Sequence, residues 1–291
     1  MLYYRQKFLL GFLQKFDNHL QNTNCQKLLF LFCKINRIDY YDFFPYKYGG
    51  FSNVLYKDKR DLIEEGFLEN TDAFSIKTKT NFLEYLKESD IALINNLKVK
   101  YGAYSRDELI FEAYRLFPYY AIRSEIPNEF AEKERNKIKN SLQNNKIIYS
   151  AGYEGKTIDR FLDELILNNI SLLIDVRRNP ISRKYGFTGK KLANFLSTIN
   201  IDYINFPNLG IESSKRTSLN STNDYLSLFN YYRESILKKE IKSINEISDL
   251  IDKYKRVAIL CFEKDYNKCH RTELINFINN NQTSELSIRY L

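Results

Sequence analysis

The 291-residue chain is poor in cysteine and has no long apolar run. Its four cysteines (Cys25, Cys33, Cys261 and Cys269) form no C-x-x-C pair, and so few in a chain of this length exclude a disulfide framework. No window approaches the roughly 20 apolar residues that a membrane span needs. The first sixteen residues alternate charge with apolar residues at helical spacing, which indicates an amphipathic helix and not a signal peptide. We therefore expect a cytoplasmic protein with no membrane partner.

The composition favours a folded, basic protein. Hydrophobic residues make up 44% of the chain, enough to bury a sizeable core, and the net charge is +8 with a pI near 9.0. Residues 1–145 carry 22 basic and 19 acidic residues, and residues 146–291 carry 22 and 17, so both halves contribute to the excess. Such a charge favours polyanionic partners, with DNA or nucleotides the first candidates.

The first half, residues 1–145, is predicted to be a mainly α-helical domain. Helices are expected over 1–20 and 24–36, and a third begins at the capping residue Ser52 and ends at Gly66. Two short strands are expected over 67–79, and the remainder to 145 is predicted to be helical, ending in a charge-dense linker or terminal helix. This order is typical of a winged-helix domain.

The same half resembles the Panacea-type domain of toxin–antitoxin systems. The resemblance rests on KLLFLFCK (27–34), FFPYKYGGFS (43–52) and LIEEGFL (62–68). It implies a helical module that in some proteins recognises a partner protein. The third helix carries Lys57, Lys59 and Arg60, which suit phosphate contacts, but its four acids weaken the case for insertion into a DNA groove. DNA binding and protein binding both stay open.

The second half, residues 146–291, alternates predicted strands and helices. One strand is expected to begin at 147–148 and to end within 151–155, and others are expected over 172–176, 201–206, 256–262 and 286–290. The segment 256–262 is expected to be central because it is very apolar. This alternation predicts an α/β domain with a Rossmann-like, three-layer, mostly parallel sheet.

Residues 171–191 are the most informative stretch for function. A short apolar strand ends at Asp175, and the following residues 177–191 hold six cations and no acid. Open α/β sheets build their sites at the carboxyl ends of their strands. The alternative is a solvated basic loop beside a structural aspartate.

The carboxyl ends of the other strands are expected to meet at the same edge and bring a candidate site together. The predicted catalytic residues are Asp175, Glu154, Glu263, Cys269 and His270. The predicted phosphate- and nucleic-acid-binding residues are Tyr153, Arg177, Arg178, Arg183, Lys184 and Arg271, with Tyr185 as a further residue that could stack on a base.

The cysteines near the end of the chain allow other interpretations. Cys269 precedes a predicted helix, where the helix dipole favours a thiolate nucleophile, although its spacing to Arg271 matches no thiol phosphatase. Cys261, Cys269 and His270 offer three metal ligands at a spacing that matches no common zinc motif. No metal and no cofactor is therefore predicted. The structural alternative is a core Cys261, an anchoring His270 and an Arg271 paired with Asp175 or Glu263.

Three motifs in order resemble the family called domain of unknown function 488. They are SAGYEGKT (150–157), DVRRNPISR (175–183) and LCFE (260–263) with CHR (269–271). The resemblance covers about residues 146–291 and implies a Rossmann-like fold and an enzyme of unassigned reaction. We expect a hydrolase or transferase acting on DNA or nucleotides, by base removal, base exchange or phosphoester cleavage, in DNA processing or phage defence. The alternatives are a non-enzymatic DNA- or protein-binding regulator and a small-nucleotide binder that signals through the first half.

Overall fold

The computed structural model describes residues 2–141, 146–216, 219–281 and 286–291. The chain divides into two compact units, Met1–Ser141 and Leu142–Leu291. The last residues of the predicted terminal helix, 142–145, lie outside the described residues. Within the described ranges, no helix is both long and apolar enough to cross a membrane.

The first unit is mainly helical. Its helices are α1 (Tyr4–Lys15), α2 (Asn22–Asn36), α3 (Asn53–Glu64), α4 (Glu88–Tyr101), α5 (Arg106–Leu116) and α6 (Glu129–Ser141). Its short strands are β1 (His19–Gln21), β2 (Phe44–Tyr46), β3 (Gly49–Phe51) and β4 (Ala73–Ser75), paired antiparallel as β1 with β4 and β2 with β3.

The ends of α3 are as predicted, but the segment that follows differs from the prediction. The Ser52 hydroxyl accepts the N–H of Leu55 at 3.3 Å, and Gly66 takes a positive φ of 80° just after the helix. Of the two strands expected over 67–79, only β4 forms, and it pairs with β1, while a single bridge joins Leu68 to Ile76. The long-range pairing partner was not visible in the local pattern from which a hairpin was predicted.

The second unit is a parallel α/β sheet. Its strands are β5 (Ile147–Gly152), β6 (Leu172–Asp175), β7 (Asp202–Asn205), β8 (Arg256–Cys261) and β9 (Ser287–Tyr290), in the order β7-β6-β8-β5-β9. Its helices are α7 (Ile158–Leu167), α8 (Gly189–Ser197), α9 (Thr222–Tyr231), α10 (Ile241–Tyr254) and α11 (His270–Asn280), and a π-helical turn, Tyr232–Leu237, follows α9.

The predicted Rossmann-like class and the central place of 256–262 are confirmed. All four strand pairings are parallel, and β8 occupies the middle of the sheet. Every residue of β5 is buried, as a strand covered by helices on both faces requires. Because the strands run the same way, their carboxyl ends, and the loops that follow them, meet at one edge of the sheet.

Candidate active site

Five contacts join the loops after β5, β6, β7 and β8 into one region, which we call the carboxyl edge. They pair Tyr153 with Arg177, Glu154 with Lys264, Val176 with His270, Arg178 with Glu212, and Arg216 with Glu263. The edge therefore brings together the residues that the sequence places at four separate strand ends.

Two glycines let these loops approach each other closely. A Cβ on Gly152 would lie 2.1 Å from the carbonyl oxygen of Glu263, and one on Gly210 would lie 2.2 Å from the backbone nitrogen of Arg178. Neither position has room for a side chain. The loop after β8 thus rests directly on the backbone of β5, and the loop after β7 rests on that of the basic loop.

Asp175 and Arg177 form a buried, fully engaged ion pair. Asp175 is completely buried, and its carboxylate accepts hydrogen bonds from the Arg177 guanidinium, from the Arg177 backbone N–H at 3.0 Å and from the Tyr203 hydroxyl at 2.7 Å. Burial lowers the pKa of Arg177, but the hydrogen bonds and charge of Asp175 outweigh it and raise that pKa. Because both of its carboxylate oxygens accept these hydrogen bonds, Asp175 fixes the position of the Arg177 side chain.

Arg177 and Tyr153 point inward from the edge. Nη1 of Arg177 donates to the Tyr153 hydroxyl at 2.8 Å and to the Phe187 carbonyl oxygen at 2.9 Å. The Tyr153 ring is 3% exposed and stacks on Phe187 with ring centroids 4.3 Å apart. These two residues, predicted to bind phosphate and to stack on a base, are instead committed to the packing of the loop.

Arg271 is also internal. Its side chain is 1% exposed, Nε donates to the Ser150 hydroxyl at 2.7 Å, and Nη1 donates to the Glu263 carbonyl oxygen at 2.6 Å. Arg271 therefore fixes the backbone of the loop after β8 to β5. The structural alternative paired Arg271 with Asp175 or Glu263. Arg271 does contact Glu263, through its backbone carbonyl oxygen.

The predicted cations that do face outward are Arg178, Arg183 and Lys184. Arg178 is 42% exposed and lies 3.7 Å from Glu212, and Arg183 is exposed. Lys184 is half-buried, its Nζ donates to the Tyr153 carbonyl oxygen at 3.2 Å, and burial lowers its pKa. Glu154 is exposed as well, and its carboxylate accepts the backbone N–H of Lys264 at 2.9 Å.

Three buried residues, Cys261, Cys269 and His270, and the partly exposed Glu263 form a group that we call the thiol cluster. The two cysteine sulfurs each lie 3.0 Å from Oε2 of Glu263, and Sγ of Cys261 lies 3.8 Å from Nδ1 of His270. Cys261 ends β8, whereas Cys269 caps α11 and His270 is its first residue. Two rigid elements therefore hold the cluster at the carboxyl edge.

Residues 157–278 match the model of a family described as domain of unknown function DUF488. Over these residues the second unit is similar to that family. The match runs from the start of α7 almost to the end of α11, so it includes the basic loop and the whole thiol cluster. No curated protein and no solved structure matches the chain. The Panacea-like and winged-helix assignments of the first unit remain predictions.

Arg216 contacts the thiol cluster and was not among the residues predicted from the sequence. Its Nη1 donates to Oε1 of Glu263 at 3.2 Å, and its Nη2 lies 3.3 Å from Nδ1 of His270. In the part of the chain that the structure describes, Nε of Arg216 is the one buried side-chain nitrogen or oxygen without a hydrogen-bond partner. An unmade hydrogen bond of this kind costs about 1–3 kcal/mol. No pattern in the polar segment around Arg216 marks it as a site residue.

Tyr232 was also missed. It is fully buried, its hydroxyl donates to the Leu209 carbonyl oxygen at 2.8 Å, and its ring meets the His270 ring edge to face at 5.2 Å. This contact packs a buried aromatic ring against the imidazole. One tyrosine among 23 gives no sequence signal for this role.

The ionisable groups of the cluster perturb one another. Burial opposes ionisation of Cys261, but the hydrogen bond from Cys269 and the proximity of His270 outweigh it and hold the pKa of Cys261 well below its ordinary value. Burial and the contact with Cys261 raise the pKa of Cys269 well above its ordinary value, and burial raises the pKa of Glu263. Interacting groups with separated pKa values are a common feature of active sites.

Three residues of the thiol cluster are able to hold a metal ion. One ligand atom from each of Cys261, Cys269 and His270 lies within 4.8 Å of the other two. The spacing of these three residues along the sequence matches no common zinc motif, so no metal site was predicted there. The fold brings the three together through the loop and the short 3-10 turn Tyr266–Lys268 that separate β8 from α11.

Proposed function

We propose that the second unit is a hydrolase or transferase that acts on DNA or nucleotides at the carboxyl edge. The observation that carries the proposal is a buried cluster of thiols, carboxylate and imidazole at the same edge as the exposed cations of the basic loop. A polyanion held by the cations would place one of its bonds near the cluster. DNA processing or phage defence is the setting that the resemblance of the two halves suggests.

Glu263 is the proposed general acid–base residue. Cys261, Cys269 and His270 are at most 2% exposed, whereas the Glu263 side chain is 24% exposed and thus reaches the surface of the cluster. A carboxylate that is both buried against ionisable partners and open on one side suits proton transfer to a bound substrate. Asp175, which we predicted for this role, is better described as the residue that positions Arg177.

The proposed phosphate contacts are Arg178, Arg183 and Lys184, with Arg216 nearest to the cluster. Arg178 and Arg183 are exposed, and Arg216 is 28% exposed while it contacts Glu263. An arginine can bind a phosphate group through two parallel hydrogen bonds. Exposed arginines such as Arg178 and Arg183 could therefore fix both the position and the orientation of a bound phosphate. We no longer propose Arg177 and Arg271 as phosphate contacts, because their buried guanidinium groups donate hydrogen bonds to backbone carbonyl oxygens of the loops.

For the first unit we propose a recognition role, with a protein partner favoured over a DNA groove. Two of the three cations predicted to contact phosphate are engaged internally: Lys59 donates to Asn22 and to the Thr71 carbonyl oxygen, both at 3.0 Å, and Lys57 pairs with Asp61. The unit also has a pocket of about 170 Å³, and four of its nine lining residues are aromatic. It is lined by Thr23, Gln26, Lys27, Tyr46, Lys47, Tyr48, Gly49, Phe51 and Tyr56.

Product analysis by mass spectrometry tests the proposed activity. Ordinary and base-modified oligonucleotides and mononucleotides are incubated with the full-length protein, with Glu263→Gln and with Glu234→Gln. Glu234 pairs with Lys238 on an exposed helical turn, so it serves as a matched control. We expect a released base, altered nucleotide or cleaved strand with wild type and Glu234→Gln, and at least a ~100-fold slower reaction with Glu263→Gln.

The competing proposal is a non-enzymatic binding module that uses the same exposed cations. It predicts unchanged substrates in every reaction, together with DNA binding that weakens steeply between ~50 and ~200 mM salt. Equal turnover by wild type and Glu263→Gln would show that the protein is an enzyme but would contradict the role of Glu263 as the general acid–base residue. Salt-sensitive binding without any product would favour the binding module.

A further inference from the structure

We propose that Cys261, Cys269 and His270 bind a single zinc-class divalent ion at the carboxyl edge. The proposal concerns metal binding alone and holds whether or not the domain acts on nucleic acid. Two thiolates and an imidazole are the ligand set that zinc prefers, and oxygen-seeking ions such as magnesium disfavour it.

The spacing of the ligand atoms fits one ion. Zinc lies about 2.3 Å from sulfur and about 2.0 Å from nitrogen, so tetrahedral ligands are separated by about 3.6–3.8 Å. Sγ of Cys261 and Nδ1 of His270 are 3.8 Å apart, and all three ligand atoms lie within 4.8 Å of one another. The widest separation exceeds the tetrahedral one by no more than about 1 Å, which small side-chain rotations can close.

The hydrogen bonds of His270 leave Nδ1, the ring nitrogen that faces Cys261, available to bind the ion. Nε2 lies 3.3 Å from the Val176 carbonyl oxygen, which can only accept, so Nε2 carries the hydrogen. Nδ1 faces Cys261 and the Arg216 guanidinium, which can only donate, so in the neutral imidazole that binds a metal Nδ1 carries the lone pair. Metal-binding histidines usually donate their second nitrogen to a carbonyl or carboxylate in this way.

The elements that carry the ligands are rigid and close to one another. Cys261 is the last residue of the central strand, and Cys269 and His270 are consecutive residues at the start of α11. Arg271, fixed to Ser150 and to the Glu263 backbone, ties the helix start to β5. The three ligands therefore come from two anchored backbone segments and not from a loop tip.

Glu263 and Arg216 flank the remaining side of the site. Oε2 of Glu263 is 3.0 Å from each sulfur, which places a carboxylate beside the fourth position of the ion, as in zinc sites that keep that position open for water or substrate. Nη2 of Arg216 is 3.3 Å from Nδ1, so an ion would displace this contact. Binding forms two zinc–sulfur bonds and one zinc–nitrogen bond and releases the thiol protons to solvent.

Cobalt substitution in the full-length protein tests the site. We expect one Co²⁺ per chain, with a sulfur-to-cobalt charge-transfer band in the near ultraviolet and the strong visible absorption of tetrahedral cobalt, and displacement by one Zn²⁺. Cys261→Ala, Cys269→Ala and His270→Asn should each weaken Co²⁺ binding by at least ~10-fold. Cys33→Ala, which changes a buried cysteine of the first unit, should leave the spectrum unchanged.

Two further measurements do not depend on those variants folding. X-ray absorption of the zinc-loaded wild type should show two sulfurs and at least one nitrogen around the ion. Arg216→Ala removes a positive charge beside Nδ1 and should tighten Zn²⁺ binding. An ion surrounded only by oxygen and nitrogen, less than a tenth of an equivalent bound, or the same loss in Cys33→Ala as in Cys261→Ala would overturn the proposal.

Discussion

Substitution of Asp175 by asparagine should destabilise the second unit severely and independently of any chemistry. The change preserves size but leaves the Arg177 guanidinium, 7% exposed, without its counter-charge. Breaking a buried ion pair by removing one partner costs about 3–5 kcal/mol. For a domain of this size, each kcal/mol lowers the melting temperature by roughly 2–4 °C, so we expect a loss of about 6–20 °C.

Thermal and urea unfolding followed by circular dichroism would measure this loss. Asp252→Asn is the matched control, because Asp252 pairs with Lys146 at 2.6 Å but is 56% exposed, and should lose less than about 1 kcal/mol. The double variant Asp175→Asn, Arg177→Met should cost clearly less than the sum of its single changes. A cost for Asp175→Asn below about 1 kcal/mol, or strict additivity in the double variant, would refute the reasoning.

Three further predictions concern other parts of the structure. Arg183→Ala should weaken DNA binding at every sequence and reduce the slope of log affinity against log salt by about 1, measured by fluorescence anisotropy. Burial, with a smaller effect of Arg106, lowers the pKa of Lys27 to about 7 from 10.5, so the unfolded chain binds more protons between these values. Stability should therefore rise with pH across that window, by as much as about 5 kcal/mol. Melting curves at several pH values should show this dependence reduced in Lys27→Met and retained in the exposed control Lys133→Met. Gly152→Ala would place a methyl group 2.1 Å from the Glu263 carbonyl oxygen, and should lower stability by about 1–3 kcal/mol in urea titrations; unchanged stability would show that the loop after β8 moves freely.

Sequence periodicity was sufficient for the sheet but not for the roles of its charged residues. The run Leu172–Val176 and the very apolar segment 256–262 predicted buried strands, and the structure has strands there because both faces are covered by helices. The same reasoning placed Asp175 at a strand end. It could not show that Arg177, two residues later, turns back to saturate the carboxylate, because that depends on the positions of Tyr203 and Phe187.

The thiol cluster shows a second limit. Zinc motifs are recognised by short local spacings, and the seven residues between Cys261 and Cys269 fit none of the common ones. In the structure those residues turn so that the strand end and the helix start face each other. Arg216, more than 40 residues earlier in the chain, joins the cluster through the loop after β7, a tertiary contact that no local pattern encodes.

Photo-cross-linking tests most directly the claim that a polyanion lies over the carboxyl edge. A bromouracil-containing oligonucleotide is bound to the full-length protein, irradiated and digested, and the attached peptides are identified by mass spectrometry. We predict that the cross-links concentrate in the basic loop, residues 177–191, and near Arg216 and Glu263, and that they decline with added salt. Cross-links confined to the first unit, or spread evenly over the surface, would contradict the account.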